Sequence, residues 1–82
     1  MVKKVIRAPS FTKAIKRVDR GYIDRVEKLI LKVIQNPEIG KPMRYTREGT
    51  RELYFGSFRL SYSYEKKNDT LILLDLYHKD KK

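Results

Sequence analysis

The stretch from Phe58 to Glu65, FRLSYSYE, alternates strictly between apolar and polar side chains. Its apolar positions are Phe58, Leu60, Tyr62 and Tyr64, and its polar positions are Arg59, Ser61, Ser63 and Glu65. Because successive side chains of a strand point to opposite faces of a sheet, this pattern predicts a β-strand with one face on the core and one polar face. An arginine in the middle of the polar face then requires a reason of its own.

Two further apolar runs, RELYF and TLILLDLYH, flank this strand. Short connections at Gly56-Ser57 and at KKND predict that the three strands form an antiparallel meander. Counting alternate positions along the last strand predicts its two faces. The residues expected under the helices are Ile72, Leu74 and Leu76, and those expected on the face of Arg59 are Leu71, Leu73, Asp75, Tyr77 and Lys79.

Upstream, VKKVIRAP predicts a first strand. Ser10 is a candidate N-cap for a short amphipathic helix that runs through Val18 and is broken by Gly21. A longer apolar period from Tyr22 to Ile34 predicts a second helix, which Asn36-Pro37 terminates. The expected fold is α+β in the order β-α-α-β-β-β, with a helical hairpin on one face of a small antiparallel sheet.

Composition narrows the function. With 82 residues, the chain is expected to form one domain over residues 1–82. No cysteine and a single histidine argue against disulfides, a thiolate zinc site or a metal-ligand cluster, so neither metal nor cofactor is expected. No apolar run approaches the roughly 20 residues of a membrane span, which predicts a soluble, cytoplasmic protein with no membrane partner.

The chain is strongly basic, with 20 Lys and Arg against 10 Asp and Glu and a formal net charge of +10. Such a field attracts polyanions, nucleic acid first and an acidic protein segment or an anionic surface second. The alternative is a heavily charged surface with no such partner.

Three segments, NPEIGKPM, RELYFGSFRLSY and LYHKD, resemble in their order and spacing the RelE/ParE toxin superfamily of toxin-antitoxin systems. The resemblance implies the fold derived above. It also implies one of two activities. The RelE branch cleaves messenger RNA without metal, usually on the ribosome, by driving a 2′-hydroxyl onto the adjacent phosphate, and the ParE branch inhibits DNA gyrase. A cognate antitoxin neutralises both.

RNA self-cleavage requires a group that takes the 2′-hydroxyl proton, positive charge beside the pentacoordinate phosphate, and a group that protonates the leaving 5′-oxygen. Arg59 matches the hairpin arginine of the family, and its planar guanidinium suits the phosphate. The alternative is that Arg59 pairs with Asp75 and holds the sheet together, and the two roles can coexist.

The resemblance supplies the other catalytic candidates. His78 matches the C-terminal general acid of one RelE branch, and an imidazole with a pKa of about 6.5 suits that task; alternatively it is an ordinary histidine at a strand end. Lys79 stands where other relatives carry a catalytic arginine, or it belongs to a solvated basic tail. Glu52 is the candidate general base, although the glutamate of the histidine-using branch would fall at Met43 in this chain, and a structural pair of Glu52 with Arg51 or Arg59 is the alternative.

Further residues are expected to bind RNA rather than to act on it. The basic ones are Lys41, Arg44, Arg47, Arg51, Lys81 and Lys82, and the aromatic ones, as stacking platforms for bases, are Tyr54 and Tyr77. Half-exposed Leu71 and Leu73 are expected to be covered by an acidic, amphipathic antitoxin segment.

Two alternatives to an RNA endonuclease acting on messenger RNA and the ribosome stay open. One is a non-catalytic relative, such as a ParE-like gyrase inhibitor or an inactive binder of nucleic acid or antitoxin. It is favoured because the lysine pair of some relatives would fall near Thr50 and Glu52, and neither is basic. The other is a basic α+β domain that binds RNA structurally.

Overall fold

A computed structural model of the chain describes residues 2–79. Their elements are β1 (Lys4–Arg7), α1 (Pro9–Lys16), α2 (Arg20–Gln35), β2 (Lys41–Pro42), a 3-10 turn (Tyr45–Arg47), β3 (Arg51–Phe55), β4 (Phe58–Glu65) and β5 (Thr70–His78). The strands form one sheet in the order β1-β5-β4-β3-β2. The predicted α+β class and element order are confirmed, with the short β2 as an addition.

The sheet is mixed rather than wholly antiparallel. β1 runs parallel to β5, whereas β5, β4, β3 and β2 pair antiparallel with one another. Parallel neighbours need a long crossover connection, and the helical hairpin α1-α2 begins that path from β1. None of the helices within residues 2–79 is long and apolar enough to cross a membrane.

The helix starts differ from the sequence prediction by a few residues. Pro9 occupies the first turn of α1 and Ala8 is its N-cap, because the fixed φ of proline suits the first helical position. Ser10 is therefore not the N-cap, and its hydroxyl donates to the carbonyl of Leu74 on β5. Gly21 lies in the first turn of α2, and the break between the helices falls just before Arg20.

The core lies between the helical hairpin and one face of the sheet. Its fully or nearly fully buried apolar residues are Phe11, Val26, Ile30, Val33, Leu60, Tyr62, Leu71, Leu73 and Leu76. Helical spacing in α2 and alternation in β4 both place apolar side chains toward this one layer. Within residues 2–79 no helix covers the other face of the sheet, which is called the helix-free face below.

A β-bulge in β5 changes which of its residues face the core. Ser61 pairs with Asp75 and Tyr62 pairs with Leu73, so Leu74 is an extra residue without a partner in β4. An inserted residue reverses the alternation of side chains on either side of it. The prediction from strict alternation therefore fails on the N-terminal side of the bulge.

Three residues of β5 lie on the face opposite to the one that strict alternation predicts. Leu71 and Leu73 were expected on the face of Arg59, but both are fully buried under the helices. Ile72, expected in the core, pairs with Ser63 on the helix-free face. Beyond the bulge the prediction holds, because Leu76 is buried and because Asp75 and Tyr77 pair with Ser61 and Arg59 on the helix-free face.

Candidate nucleic-acid interface

The helix-free face of the sheet carries a row of three side chains on β3, β4 and β5, close to the turn that joins β3 to β4. Tyr54 on β3 pairs with Arg59 on β4, and Arg59 pairs in turn with Tyr77 on β5. The guanidinium carbon of Arg59 lies 3.9 Å from the centroid of the Tyr54 ring. A cation held against an aromatic face is attracted by the negative π-surface, so Tyr54 restricts the guanidinium to one region of the face.

A buried carboxylate lies on the same face as this row, two residues before Tyr54 on β3. Glu52 on β3 is only 3% exposed, and the phenol of Tyr77 donates to its Oε2 over 2.5 Å. The bond reaches across β4, where the residue paired with Glu52 is the small Ser61. Because the carboxylate is buried and accepts this bond, Glu52 fixes the orientation of Tyr77 beside Arg59.

A basic groove of about 670 Å³ opens at the β2 end of the sheet. Its lining residues are Lys41, Pro42, Met43, Arg44, Tyr45 and Tyr54. Lys41 pairs with Glu52 across β2 and β3, and Tyr54 follows on the same face. The groove therefore adjoins the row of three side chains, because Tyr54 belongs to the row and also lines the groove.

The loop that leads into the groove is tied to the opposite face of the sheet. The Tyr62 hydroxyl accepts from the N–H of Gly40 over 2.8 Å and donates to the carbonyl of Pro37 over 2.9 Å. Arg51 Nη1 donates to the carbonyls of Glu38 and Gly40 over 3.1 and 2.7 Å. Burial raises the pKa of Tyr62, while the Gly40 bond and the Arg51 charge oppose that rise. The chain therefore enters the groove from a fixed point.

Arg51 is consequently separated from the other predicted RNA-binding residues. It pairs with Tyr62 and faces the helix side, where its guanidinium holds backbone carbonyls. Of the remaining basic candidates, Lys41 and Arg44 line the groove. The backbone of Arg47 ends the 3-10 turn, but its side chain lies outside the described part of the chain, as do Lys81 and Lys82.

His78 and Arg59 lie on different faces. His78 pairs with Phe58 on the helix side, and the two ring centroids are 5.5 Å apart in an edge-to-face arrangement. Alternation from the buried Leu76 gives His78 this same side of the sheet. Lys79 follows the end of β5, is exposed, and donates its N–H to the carbonyl of Ser57 over 2.8 Å.

Asp75 lies on the helix-free face, but the predicted alternative of an Arg59 to Asp75 pair does not form. Within residues 2–79 no salt bridge joins the two, and Asp75 Oδ1 accepts from the N–H of Leu76 over 2.8 Å. A salt bridge elsewhere in the protein joins Arg7 and Glu27 over 2.9 Å. Tyr54, rather than Asp75, is therefore the immediate neighbour of the guanidinium.

Of the three groove residues absent from the predicted RNA-binding set, Pro42, Met43 and Tyr45, the aromatic one is Tyr45. It is 89% exposed and has a positive φ of 61°. No spacing rule points to a single tyrosine in a loop without period, and the only signal is its place between basic residues in RYTR.

Comparisons with known proteins agree on the fold. The family model described as the ParE toxin of the type II toxin-antitoxin system parDE matches residues 3–82. The toxin-antitoxin complex RelBE2 from Mycobacterium tuberculosis contains a chain with a TM-score of 0.86 at 20% identity, covering 95% of this chain and 99% of that one. No curated protein has a matching sequence.

Two structures from E. coli are also similar. A chain of the intact RelBE toxin-antitoxin complex gives a TM-score of 0.78 at 12% identity, covering 92% of this chain and 94% of that one. YafQ gives 0.79 at 15% identity, covering 94% and 93%. At such identities these likenesses describe the fold, and the family rests on the model that matches nearly the whole chain.

Proposed function

This chain belongs to the ParE toxin family of type II toxin-antitoxin systems, and we propose that it acts as a metal-independent endoribonuclease that cleaves messenger RNA on the ribosome. The cut would be made by attack of a 2′-hydroxyl on the adjacent phosphate. The cation of Arg59, held against Tyr54 on the open face of the sheet, is the observation that carries this proposal. A ribosomal target also implies a cytoplasmic location.

Arg59 has the chemistry that the transition state requires. The attack places additional negative charge on the phosphoryl oxygens, and donors already in position stabilise that charge without reorganising. A guanidinium offers two parallel N–H donors to one phosphate. Stacking on Tyr54 favours such a defined approach, because it removes part of the rotational freedom of a long side chain.

Glu52 and Lys79 are proposed to assist Arg59 in different ways. Burial of Glu52 and its bond from Tyr77 favour a positioning role, because a carboxylate that is 3% exposed offers little surface to a 2′-hydroxyl. Its predicted role as general base therefore receives less support than the proposed role of Arg59. Lys79, exposed at the end of β5, is proposed as a point charge for the phosphate backbone.

His78 remains the predicted general acid on the basis of the family resemblance alone. Its position on the face opposite to Arg59, against the ring of Phe58, weakens that prediction. A proton donor must come within about 3.2 Å of the leaving oxygen, directly or through one water. We therefore expect that loss of His78 reduces cleavage much less than loss of Arg59.

The position of His78 on the face opposite to Arg59 favours a second candidate function, a non-catalytic toxin such as a gyrase inhibitor. Such a protein needs a binding surface but no acid beside the phosphate clamp. The separation of His78 from Arg59 is compatible with that requirement. The basic groove would then bind a protein or nucleic acid target without cleaving it.

A cognate antitoxin is proposed as the physiological partner. Two of the similar structures are toxin-antitoxin complexes by their names, and a net charge of +10 favours an acidic segment. The surface first expected to receive it does not exist, since Leu71 and Leu73 are core residues. Electrostatic attraction is thus the feature of this chain that supports the proposal.

Primer extension on messenger RNA bound to ribosomes tests the catalytic proposal. Wild-type protein is compared with Arg59→Ala and His78→Ala, and Arg25→Ala on the exposed side of α2 is the matched control. We expect a loss of at least about 100-fold in cleavage for Arg59→Ala, as for one removed transition-state donor, and unchanged cleavage for Arg25→Ala. Absence of cleavage by the wild type would refute the nuclease and direct the same variants to a gyrase supercoiling assay.

A further inference from the structure

We propose that Tyr45 and Tyr54 form a binding site for one unpaired base of a single-stranded RNA, with Lys41 and Arg44 holding its phosphates. This inference rests on the proposed function, because it names the part of the substrate that the groove beside Arg59 takes. It assigns a role to a residue that neither the sequence pattern nor the catalytic chemistry uses.

Tyr45 has an unusual combination of exposure and backbone conformation. Its side chain is 89% exposed, so the ring gains almost nothing from packing within the chain. Its φ of 61° lies in the left-handed region, which is disfavoured for residues with a bulky side chain. Strained residues of this kind concentrate at binding and switch sites, where the surrounding loop holds them in place.

The surrounding loop does hold Tyr45. The carbonyl of Tyr45 accepts from the N–H of Glu48 over 3.1 Å, and the N–H of Met43 donates to the carbonyl of Thr50 over 2.9 Å. These bonds fix the backbone on both sides of the tyrosine. The ring is thereby presented to solvent at a defined place on the groove wall.

Comparison with Asp69 shows what is particular to Tyr45. Asp69 also has a positive φ, of 50°, but aspartate tolerates this region through local hydrogen bonds, and its carboxylate accepts from Tyr64 over 2.6 Å. It lies in the turn between β4 and β5, where such a residue is expected. Tyr45 has neither explanation.

The composition of the groove selects the ligand. Two tyrosines offer aromatic faces on which any base can stack, and two cations lie on the same lining. The volume of about 670 Å³ is within the range of small-ligand sites, and far too small for a duplex. A single-stranded nucleotide satisfies both the aromatic and the cationic part.

The groove lies beside Arg59, so a base bound in it would help to position the RNA for cleavage. One region of the Tyr54 ring is covered by the guanidinium at 3.9 Å, while the same residue lines the groove. A base bound in the groove would bring its neighbouring phosphate toward Arg59. The pair of tyrosines would then set which nucleotide is positioned for cleavage beside Arg59, although neither tyrosine takes part in the bond changes.

The test uses an RNA that cannot be cleaved. An oligonucleotide of about ten nucleotides, 2′-O-methylated throughout and carrying one 2-aminopurine, is titrated with wild-type protein, Tyr45→Ala and Tyr45→Phe, both free and in the decoding site of ribosomes. Anisotropy reports binding, and quenching of 2-aminopurine reports stacking. Tyr22→Ala is the control, because Tyr22 is an exposed tyrosine on the helix side.

We expect Tyr45→Ala to weaken binding by roughly 5- to 150-fold and to abolish the quenching, since that range corresponds to the loss of one base-aromatic stack. Tyr45→Phe and Tyr22→Ala should bind like the wild type. Equal binding by Tyr45→Ala would overturn the inference and leave the proposed nuclease intact. Binding with quenching but without cleavage of unmodified RNA would refute the nuclease while supporting the base site, and no binding in either setting would refute both.

Discussion

Replacement of Tyr62 by phenylalanine tests how the fold holds the groove-forming loop. The Tyr62 side chain is fully buried in the core, and only its hydroxyl distinguishes it from phenylalanine. That hydroxyl accepts from Gly40 N–H at 2.8 Å and donates to the Pro37 carbonyl at 2.9 Å. The substitution therefore removes two hydrogen bonds without changing the apolar packing of the ring.

The expected loss of stability depends on whether each group that bonded to the Tyr62 hydroxyl can find another hydrogen-bond partner. Gly40 is buried, so its N–H is left unsatisfied, which costs ~1–3 kcal/mol. Pro37 is only half-buried and its carbonyl can be hydrated, so that bond contributes ~0.5–1.5 kcal/mol. Together these contributions predict that the free energy of unfolding falls by about 1.5–4.5 kcal/mol, which lowers the Tm of a domain this size by roughly 6–36 °C.

Thermal unfolding followed by circular dichroism measures this change, and Tyr64→Phe on the same strand is the matched control. The Tyr64 hydroxyl donates to Asp69 over 2.6 Å, but Asp69 is only partly buried and water replaces the lost donor. Its Tm should therefore fall much less. If Tyr62→Phe unfolds no earlier than Tyr64→Phe, the loop is not fixed by this hydroxyl and the reasoning fails.

Three further predictions concern the same core. Gly40→Ala should lower the free energy of unfolding by ~1–3 kcal/mol, because an added Cβ would lie 2.5 Å from the Tyr62 hydroxyl oxygen and 3.0 Å from the carbonyl oxygen of Glu52. In urea unfolding, the double variant Gly40→Ala with Tyr62→Phe should lose less stability than the sum of the two single variants. Strict additivity would argue against the contact. Leu73→Ala should lower the free energy of unfolding by ~2–5 kcal/mol and Leu74→Ala clearly less, because Leu73 is fully buried and Leu74 is the inserted residue of the bulge. The reverse order of the two denaturant midpoints would contradict the placement of the bulge at Leu74. Burial raises the pKa of Tyr62 above its ordinary value of about 10, so the folded state holds the phenol proton to a higher pH than the unfolded state does. The stability that Tyr62 contributes is therefore complete below pH ~10 and is lost as the pH rises through the folded pKa. Wild-type urea midpoints should fall more steeply between pH 9 and 11 than those of Tyr62→Phe, and parallel curves would exclude the effect.

The sequence determined the elements because each is encoded by local rules. Alternation from Phe58 to Glu65, helical spacing in α2 and the Asn36-Pro37 stop act within a few residues of one another, and all three are found in the structure. Alternation also gave Arg59 its face correctly, since β4 has no irregularity before Ser61. The resemblance to the toxin superfamily likewise rested on local segments, and the family model confirms it.

The tertiary structure decided which residues meet. Leu74 looks like any other apolar residue in LILLDL, and only its pairing partners across β4 show that it is inserted, which moves Leu71 and Leu73 into the core. Arg51 and Arg44 are both basic residues near β3, yet one is bound to the carbonyl of Gly40 and the other lines the groove.

The site itself was the least predictable part for the same reason. The contact of Arg59 with Tyr54 and the bond of Tyr77 to Glu52 join residues on different strands, so they depend on register, and register is set by the packing of both faces at once. A chain of 82 residues thus specified its helices and strands through neighbours in sequence. Its candidate binding surface arose only when distant neighbours were brought together.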